Sequence, residues 1–181
     1  HIDNDFNWNF EDSSIDSKDV FAKIRIIGKG GFGTVVELLH KPSGTNLAGK
    51  MLSKEMVSRA TKESLKKEIE LMKKIRTPYT ISYYGNVEFE GAQTLLMEFC
   101  KCGSLRDIMD DDKKPLNEIQ IKCVMHDLLN ALKRLHQDFA IIHRDIKAGN
   151  ILLSKNGKLK VSDFGVSRQF TEDKNTYSTT S

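Results

Sequence analysis

The sequence predicts an α+β protein: a β-rich first half holding one helix, then a second half led by a long helix and a single hairpin. Three observations carry the prediction. Between Val20 and Phe99, short runs of Ile, Val, Leu and Phe are separated by glycine-containing turns, as strands are. Leu65, Ile69, Met72 and Ile75 recur at helical spacing, and Ile121, Val124, Met125, Leu128, Leu132 and Leu135 do so over a longer stretch. Between Ile151 and Ser162 two aliphatic runs flank Asn156-Gly157, a dipeptide suited to a hairpin turn.

Composition narrows the function classes. The 181 residues are 39% hydrophobic and 29% charged, enough to bury a core in one domain or two small ones. No apolar run is long enough to cross a membrane and no basic-plus-apolar leader opens the chain, so neither a membrane span nor secretion is expected. Cys100, Cys102 and Cys123 are sparse and odd in number, which predicts reduced thiols in the cytosol or nucleus, and a cytoplasmic location is expected. The net charge of +3 is too weak to point to nucleic acid. It is also unevenly spread. Six acids against Lys18 alone in residues 1–22 leave 27 bases against 19 acids in the remainder, a modest bias that suits a polyphosphate ligand.

Residues 1–18, rich in Asp, Asn and Ser, are expected to form a disordered acidic segment, with Phe6, Trp8 and Phe10 as candidate docking aromatics. The folded part is expected over 19–181, divided into 19–99 and 100–181. From Val20 the pattern is strand, through Phe21, Ile24, Ile26 and Ile27. Gly28-Lys29-Gly30-Gly31-Phe32-Gly33-Thr34-Val35 then fits G-x-G-x-x-G-x-V, whose first six positions are shared by dinucleotide-binding folds. In those folds a helix begins here and an acid lies about 20 residues further on. This chain instead continues with β-branched Thr34-Val35-Val36, and Lys50 stands where the acid belongs.

His40-Lys41-Pro42-Ser43-Gly44 is the next turn and Leu47-Ala48-Gly49-Lys50 the next strand, which Gly49 should loosen. In the helix expected over 61–76, Glu68 lies inside the apolar stripe while Glu63 and Glu70 fall off it, and a carboxylate facing a core needs a cation. Residues 80–90 and 92–99 read as a strand pair turning at Glu90-Gly91. Gly103-Ser104-Leu105 opens a short helix, and 110–114 reads as a charged loop. Asn117, with Gln120 at the reciprocal position, caps a long buried helix that runs to Phe139, and His126 and His136 on it read as structural. In the hairpin a two-residue loop at Asn156-Gly157 makes Leu152 face Val161 and Asn150 face Asp163. A carboxamide beside a carboxylate supplies hard oxygen ligands of the kind Mg²⁺ takes together with phosphate and water.

His143-Arg144-Asp145, Lys147 and Asn150, followed across the hairpin by Asp163-Phe164-Gly165, resemble the catalytic and metal-binding loops of eukaryotic protein kinases. The likeness covers about residues 19–178 and is densest in 28–35 and 142–165. It implies the kinase fold, with a complete small lobe and a partial helical large lobe, and it implies ATP and Mg²⁺ as cofactors. By the same resemblance Ile27, Gly28, Lys29, Gly30, Gly31, Phe32 and Gly33 cover the phosphates, and Val35, Ala48 and Leu152 sandwich adenine. Met97 becomes the gatekeeper, with Glu98 to Cys100 the hinge whose backbone bonds adenine. Lys50, held by Glu68, orients the α- and β-phosphates, Asn150 and Asp163 hold Mg²⁺, Asp145 accepts the substrate proton, and Lys147 lies near the γ-phosphate. Arg144, Phe164 and Thr176 are the regulatory residues, with Thr176 the leading phosphosite.

Lys147 resembles the serine/threonine pattern. The segments HKPSG and Asp163-Phe164-Gly165-Val166-Ser167 resemble mitogen-activated protein kinase kinases. Ala148-Gly149, Pro78-Tyr79 and Tyr83-Tyr84-Gly85 resemble the germinal-centre branch of the sterile-twenty-like kinases, in the same sterile superfamily. The implied partners are a protein substrate with a Ser or Thr acceptor, or Tyr in a dual-specificity enzyme, and an upstream activating kinase. The hydroxyl-rich run after Phe170 resembles the start of an activation loop with no Ala-Pro-Glu after it, so a kinase domain incomplete at its C-terminus is expected. The competing reading is a truncated nucleotide-binding module, or a pseudokinase-like fragment, that acts through a partner without turnover.

Overall fold

The computed structural model of the chain describes residues 17–30, 33–54, 69–162 and 168–169. Five antiparallel strands make the main sheet: β1 (Phe21–Gly30), β2 (Gly33–His40), β3 (Thr45–Leu52), β4 (Tyr83–Phe89) and β5 (Ala92–Glu98), in spatial order β1-β2-β3-β5-β4. A short helix, α1 (Ser17–Val20), sits against β1 and β4. Lys41 Nζ donates to the Lys18 carbonyl at 2.9 Å and Ser17 Oγ donates to that of Glu88, so Ser17 and Lys18 are joined to the sheet. The expected docking aromatics Phe6, Trp8 and Phe10 lie outside the described residues.

Turn chemistry places the strands. Glu90 (φ 49°) and Gly91 (φ 74°) both occupy the left-handed region, as a two-residue hairpin loop of type I′ requires. Between β2 and β3 the turn falls on Lys41-Pro42-Ser43-Gly44, where the Gly44 amide donates to the His40 carbonyl at 2.8 Å. His40 itself is fully buried against the Phe21 ring, and burial lowers its pKa from the ordinary 6.5.

Gly49 does not break β3, which pairs continuously with β2 and β5. The neighbours fill the missing side chain's place: a Cβ there would stand 2.6 Å from Leu38 Cδ1 and 3.1 Å from Thr94 Cγ2. Leu38 and Thr94 are both fully buried, so neither can swing into solvent. Gly49→Ala is therefore expected to cost about 1–3 kcal/mol despite its better strand propensity. Leu38→Ala alone should cost about 2–5 kcal/mol. Because the two share one space, the double variant should be more stable than the summed costs predict, which urea melts of all four forms will read as a coupling energy.

The second half holds α2 (Leu105–Asp112), α3 (Glu118–Phe139) and two small sheets. In these, β6 (Ile141–Ile142) pairs with β9 (Arg168–Gln169), and β7 (Ile151–Leu153) pairs with β8 (Leu159–Val161). Both long helices start in a capping box, Ser104 with Asp107 and Asn117 with Gln120. The charged loop expected over 110–114 begins later than the sequence suggests. Asp110 to Asp112 complete α2, where Asp110 accepts from Arg106 Nε at 3.0 Å, and the turn comes at Lys113 in left-handed conformation.

The long helix is less covered than its stripe predicts. Leu128, Ala131 and Leu135 are buried against the hairpin and β6, but Ile121, Met125 and Leu129 are 47%, 45% and 59% exposed. Val124, in the same part of the helix, packs partly on the core. The core divides into two clusters. One, built on Val36, Leu38, Leu47 and Leu96, lies on one side of the sheet with Phe21 and Phe89. The other runs from Leu52 and Leu95 through Met72 and Ile75 to Leu135, Leu159 and Val161, and so joins the sheet to the helical half. No helix among the described residues is long and apolar enough to cross a membrane.

Candidate active site

The glycine-rich segment is a strand, a turn and a strand. Gly28 pairs with Val35, Lys29 with Thr34 and Gly30 with Gly33, while Gly31 and Phe32 lie outside the described residues. Gly33 has φ 132°, and a Cβ on it would stand 1.9 Å from the Met51 carbonyl oxygen. Only glycine lets β2 leave the loop in such close contact with β3. Ile27, just before the loop, is exposed.

Antiparallel register gathers the next group on one face. Val35 is opposite Lys50 and Lys50 opposite Leu95, while Ala48 is opposite both Glu37 and Met97. Directly opposed residues share a face, and alternate residues along each strand share it too. Val35, Ala48, Lys50 and Met97 therefore line one surface of the sheet. Glu37 adds a buried carboxylate to it that sequence reading missed, held by Arg25 Nε and Asn46 Nδ2, each at 2.7 Å. Residues 69–74 are helical and carry Met72 onto Leu52 and Leu95, but Glu68, the expected partner of Lys50, lies outside the described residues.

Beyond Met97 the chain leaves the sheet at Glu98. Cys100 is buried, and burial first, then the Glu98 charge, pushes its thiol up to about 12. The Gly103 carbonyl accepts from the Leu153 amide at 3.0 Å, and Ser104 bridges to Leu152. Leu152 is thereby brought beside the end of the hinge segment.

The loop before β7 is tightly determined. His143 is 1% exposed and sits between two backbone groups. Its Nδ1 accepts from the Asp145 amide at 3.1 Å, so Nε2 carries the hydrogen donated to the Ser162 carbonyl at 2.6 Å. Arg144 is exposed and left-handed at φ 71°, which turns Asp145 back toward the hairpin. Asn150, 6% exposed, ends a 3₁₀ turn. Its Nδ2 donates to the Asp145 carbonyl at 2.9 Å and to Asp145 Oδ2 at 3.1 Å. Lys147 Nζ stands 3.6 Å from the same Oδ2. One carboxylate is thus held by an amide and a cation, with 38% of its side chain open to solvent.

The hairpin register differs from the expected one by a residue. Ile151 faces Val161, Leu152 faces Lys160, and Asn150 is bonded to Ser162 rather than set opposite Asp163. The loop has three residues, not two. Ser154 O accepts from the Gly157 amide at 3.0 Å, Ser154 N donates to Lys158 O at 2.9 Å, and Gly157 alone is left-handed at φ 72°. Ser154 Oγ also accepts from the Lys158 amide, a side-chain bond that favours the longer loop. Asp163, Phe164 and Thr176 lie outside the described residues.

A family model described as "Protein kinase domain" matches residues 21–181. The chain belongs to the protein kinase family. Among its relatives are the serine/threonine-protein kinases pakH of Dictyostelium discoideum and cst-1 of Caenorhabditis briggsae, to which it is similar at 37% and 41% identity. The first alignment covers 93% of this chain and 31% of the relative, the second 86% and 30%. Dictyostelium discoideum pakF is 37% identical over 93% of this chain and 13% of its own length. The chain thus spans under a third of each of these three relatives. The five-stranded sheet and the helical second half are the two parts of the kinase fold.

Proposed function

We propose that this chain binds ATP with Mg²⁺ and transfers the γ-phosphoryl group to a serine or threonine hydroxyl of a protein. The observation that carries the reading is Asp145, a partly open carboxylate fixed by Asn150 and Lys147, in a chain whose sheet carries Val35, Ala48 and Lys50 on one face. Transfer needs positioning more than covalent chemistry. Asp145 takes the proton as the acceptor oxygen bonds to phosphorus, the bridging bond to the β-phosphate breaks, and ADP leaves with its electron pair. Lys147 lies where it offsets charge on the moving group, and Lys50 orients the other phosphates. Val35, Ala48 and Leu152 enclose adenine, with Met97 behind it and the Glu98–Cys100 backbone along its edge.

The donor set suits Mg²⁺. Mg²⁺ is held by one or two protein oxygens together with phosphate and water. Asn150, whose Nδ2 is spent on Asp145, offers Oδ1, and Asp163 offers its carboxylate. Bound there, the ion supplies positive charge to the phosphate oxygens.

Kinship with pakH and cst-1 supports the sterile-twenty-like branch, and the HKPSG segment keeps a kinase kinase with Tyr as well as Ser/Thr acceptors as the finer alternative. Exposed Arg144 is the receptor for a phosphorylated Thr176 placed by an upstream kinase, with Phe164 the third regulatory residue. Three free cysteines support a cytoplasmic setting. A second reading, nucleotide binding in company with a partner and without turnover, is favoured by the open face at Ile121, Met125 and Leu129.

Titration of a fluorescent ATP analogue with and without Mg²⁺ tests the proposal. Affinity is expected to rise with Mg²⁺ in the wild type, and Asp163→Asn is expected to remove that rise with the fold intact. Equal Mg²⁺ dependence in both forms would refute the assignment of Asp163. Radiolabel transfer to a generic protein substrate then separates turnover from binding alone.

A further inference from the structure

The lysine in the middle of β8 is out of place in a short strand. Leu159 and Val161 beside it are 1% and 0% exposed, and Lys160 itself is 9% exposed. Lysine is almost never buried to this degree without a counter-ion. Its partner is Glu98, 62 residues earlier at the end of β5, whose Oε1 accepts from Lys160 Nζ at 2.6 Å. The other oxygen of that carboxylate accepts from the Ser82 amide at 3.2 Å.

Around this pair the bonds close into a ring. The Glu98 amide donates to the Ser82 carbonyl at 2.8 Å, the Ile81 amide to Val161 O at 3.0 Å, and the Val161 amide to Tyr79 O at 2.7 Å. Residues 79–82 are therefore laced to β8 on one side and to the end of β5 on the other, and Lys160 spans the gap. On the far side of β8, Ser162 is bonded to Asn150 and to His143, which in turn orient Asp145. A continuous path runs from Glu98 to the carboxylate.

We propose that Lys160 is a positioning residue, its bond to Glu98 setting the distance between the hinge backbone that holds the base and the loop that holds the phosphate end. This deepens the nucleotide reading above and rests on it. A partly buried ion pair whose carboxylate accepts two bonds suits the task because charge-assisted hydrogen bonds are short and strong.

The test compares the full chain with Lys160→Met, Lys160→Arg and the neutral pair Lys160→Met with Glu98→Gln, the last chosen because it leaves no unpaired buried charge and keeps the fold. Affinities for adenosine and for ATP with Mg²⁺ are measured by calorimetry. In Lys160→Met, adenosine affinity is expected to stay within about twofold, while in it and in the neutral pair the gain added by phosphates and Mg²⁺ falls about tenfold, the signature of two ends out of register. Lys160→Arg should keep most of the gain. A neutral pair that retains the full gain, or a Lys160→Met form that loses adenosine binding equally, overturns the positioning role. Amide hydrogen exchange without nucleotide judges the ring separately: faster exchange at Ile81, Glu98 and Val161, with α3 unchanged, supports it, and unchanged exchange overturns it. A wild type that binds neither ligand overturns the nucleotide reading, and the positioning role with it, whatever the exchange data show.

Discussion

Replacing Asp145 with Asn is expected to lower phosphoryl transfer about a thousandfold, the middle of the range for a lost general base. Shape is conserved by the change and the proton acceptor is removed. Asparagine at 145 can present its Oδ1 to Asn150 Nδ2, which now donates to Asp145 Oδ2 at 3.1 Å, so the loop keeps its main tie. The backbone bonds also survive, because the Asp145 amide and carbonyl, not its side chain, meet His143 and Asn150. Melting temperature and ATP affinity should therefore change little. A thousandfold loss is about 4 kcal/mol in the barrier, too much for the weakened contact to Lys147 at 3.6 Å to explain. Single-turnover radiolabel transfer, run beside a thermal melt, separates the possibilities. Transfer within tenfold of wild type would remove Asp145 from the role of base. Equal losses of transfer and of folded protein would reduce it to a structural one.

Local signals were legible in the sequence where one short segment decides the geometry. Glu90-Gly91 reads as a two-residue turn and is one, Asn117 and Gln120 read as reciprocal caps and are, and Gly28 to Val35 reads as strand, loop and strand. Those outcomes depend on residues a few positions apart. Asn156-Gly157 shows the limit of such reading, since Ser154 supplies a side-chain acceptor that lengthens the loop by one residue and shifts every pair behind it. One residue of slip changes which side chains meet, so Leu152 faces Lys160 and not Val161. Gly49 reads as a weak point because the Leu38 side chain that occupies its space lies on another strand. Lys160 and Glu98 are 62 residues apart, and nothing in either segment announces the other. The stripe on α3 predicts a helix correctly but says nothing of what covers each part of it, and Ile121 and Met125 stand open.

Asn150→Ala is expected to be the most damaging single change outside Asp145, because one side chain serves two ends of the site. Its Nδ2 holds Asp145 through both the carbonyl and Oδ2, at 2.9 and 3.1 Å, and its Oδ1 is the proposed oxygen for Mg²⁺. Alanine removes both functions and leaves the Asp145 carbonyl short of a donor in a partly buried loop. An orphaned acceptor of this kind costs about 1–3 kcal/mol of stability, visible as a lower urea midpoint. Transfer should fall about a hundredfold or more, since a carboxylate free to turn loses its alignment with the acceptor hydroxyl. The bonds from the Ser162 amide and Oγ to the Asn150 carbonyl involve backbone oxygen, so the hairpin register should persist and the variant should fold. Asn150→Asp separates the two functions. It keeps an oxygen for the metal but sets a second carboxylate against Asp145, and like charges this close cannot both ionise comfortably. Mg²⁺-dependent ATP binding should then survive in Asn150→Asp and be lost in Asn150→Ala, while transfer falls in both. If Asn150→Ala binds ATP with undiminished Mg²⁺ dependence, Asn150 is a positioning residue for Asp145 and no metal ligand.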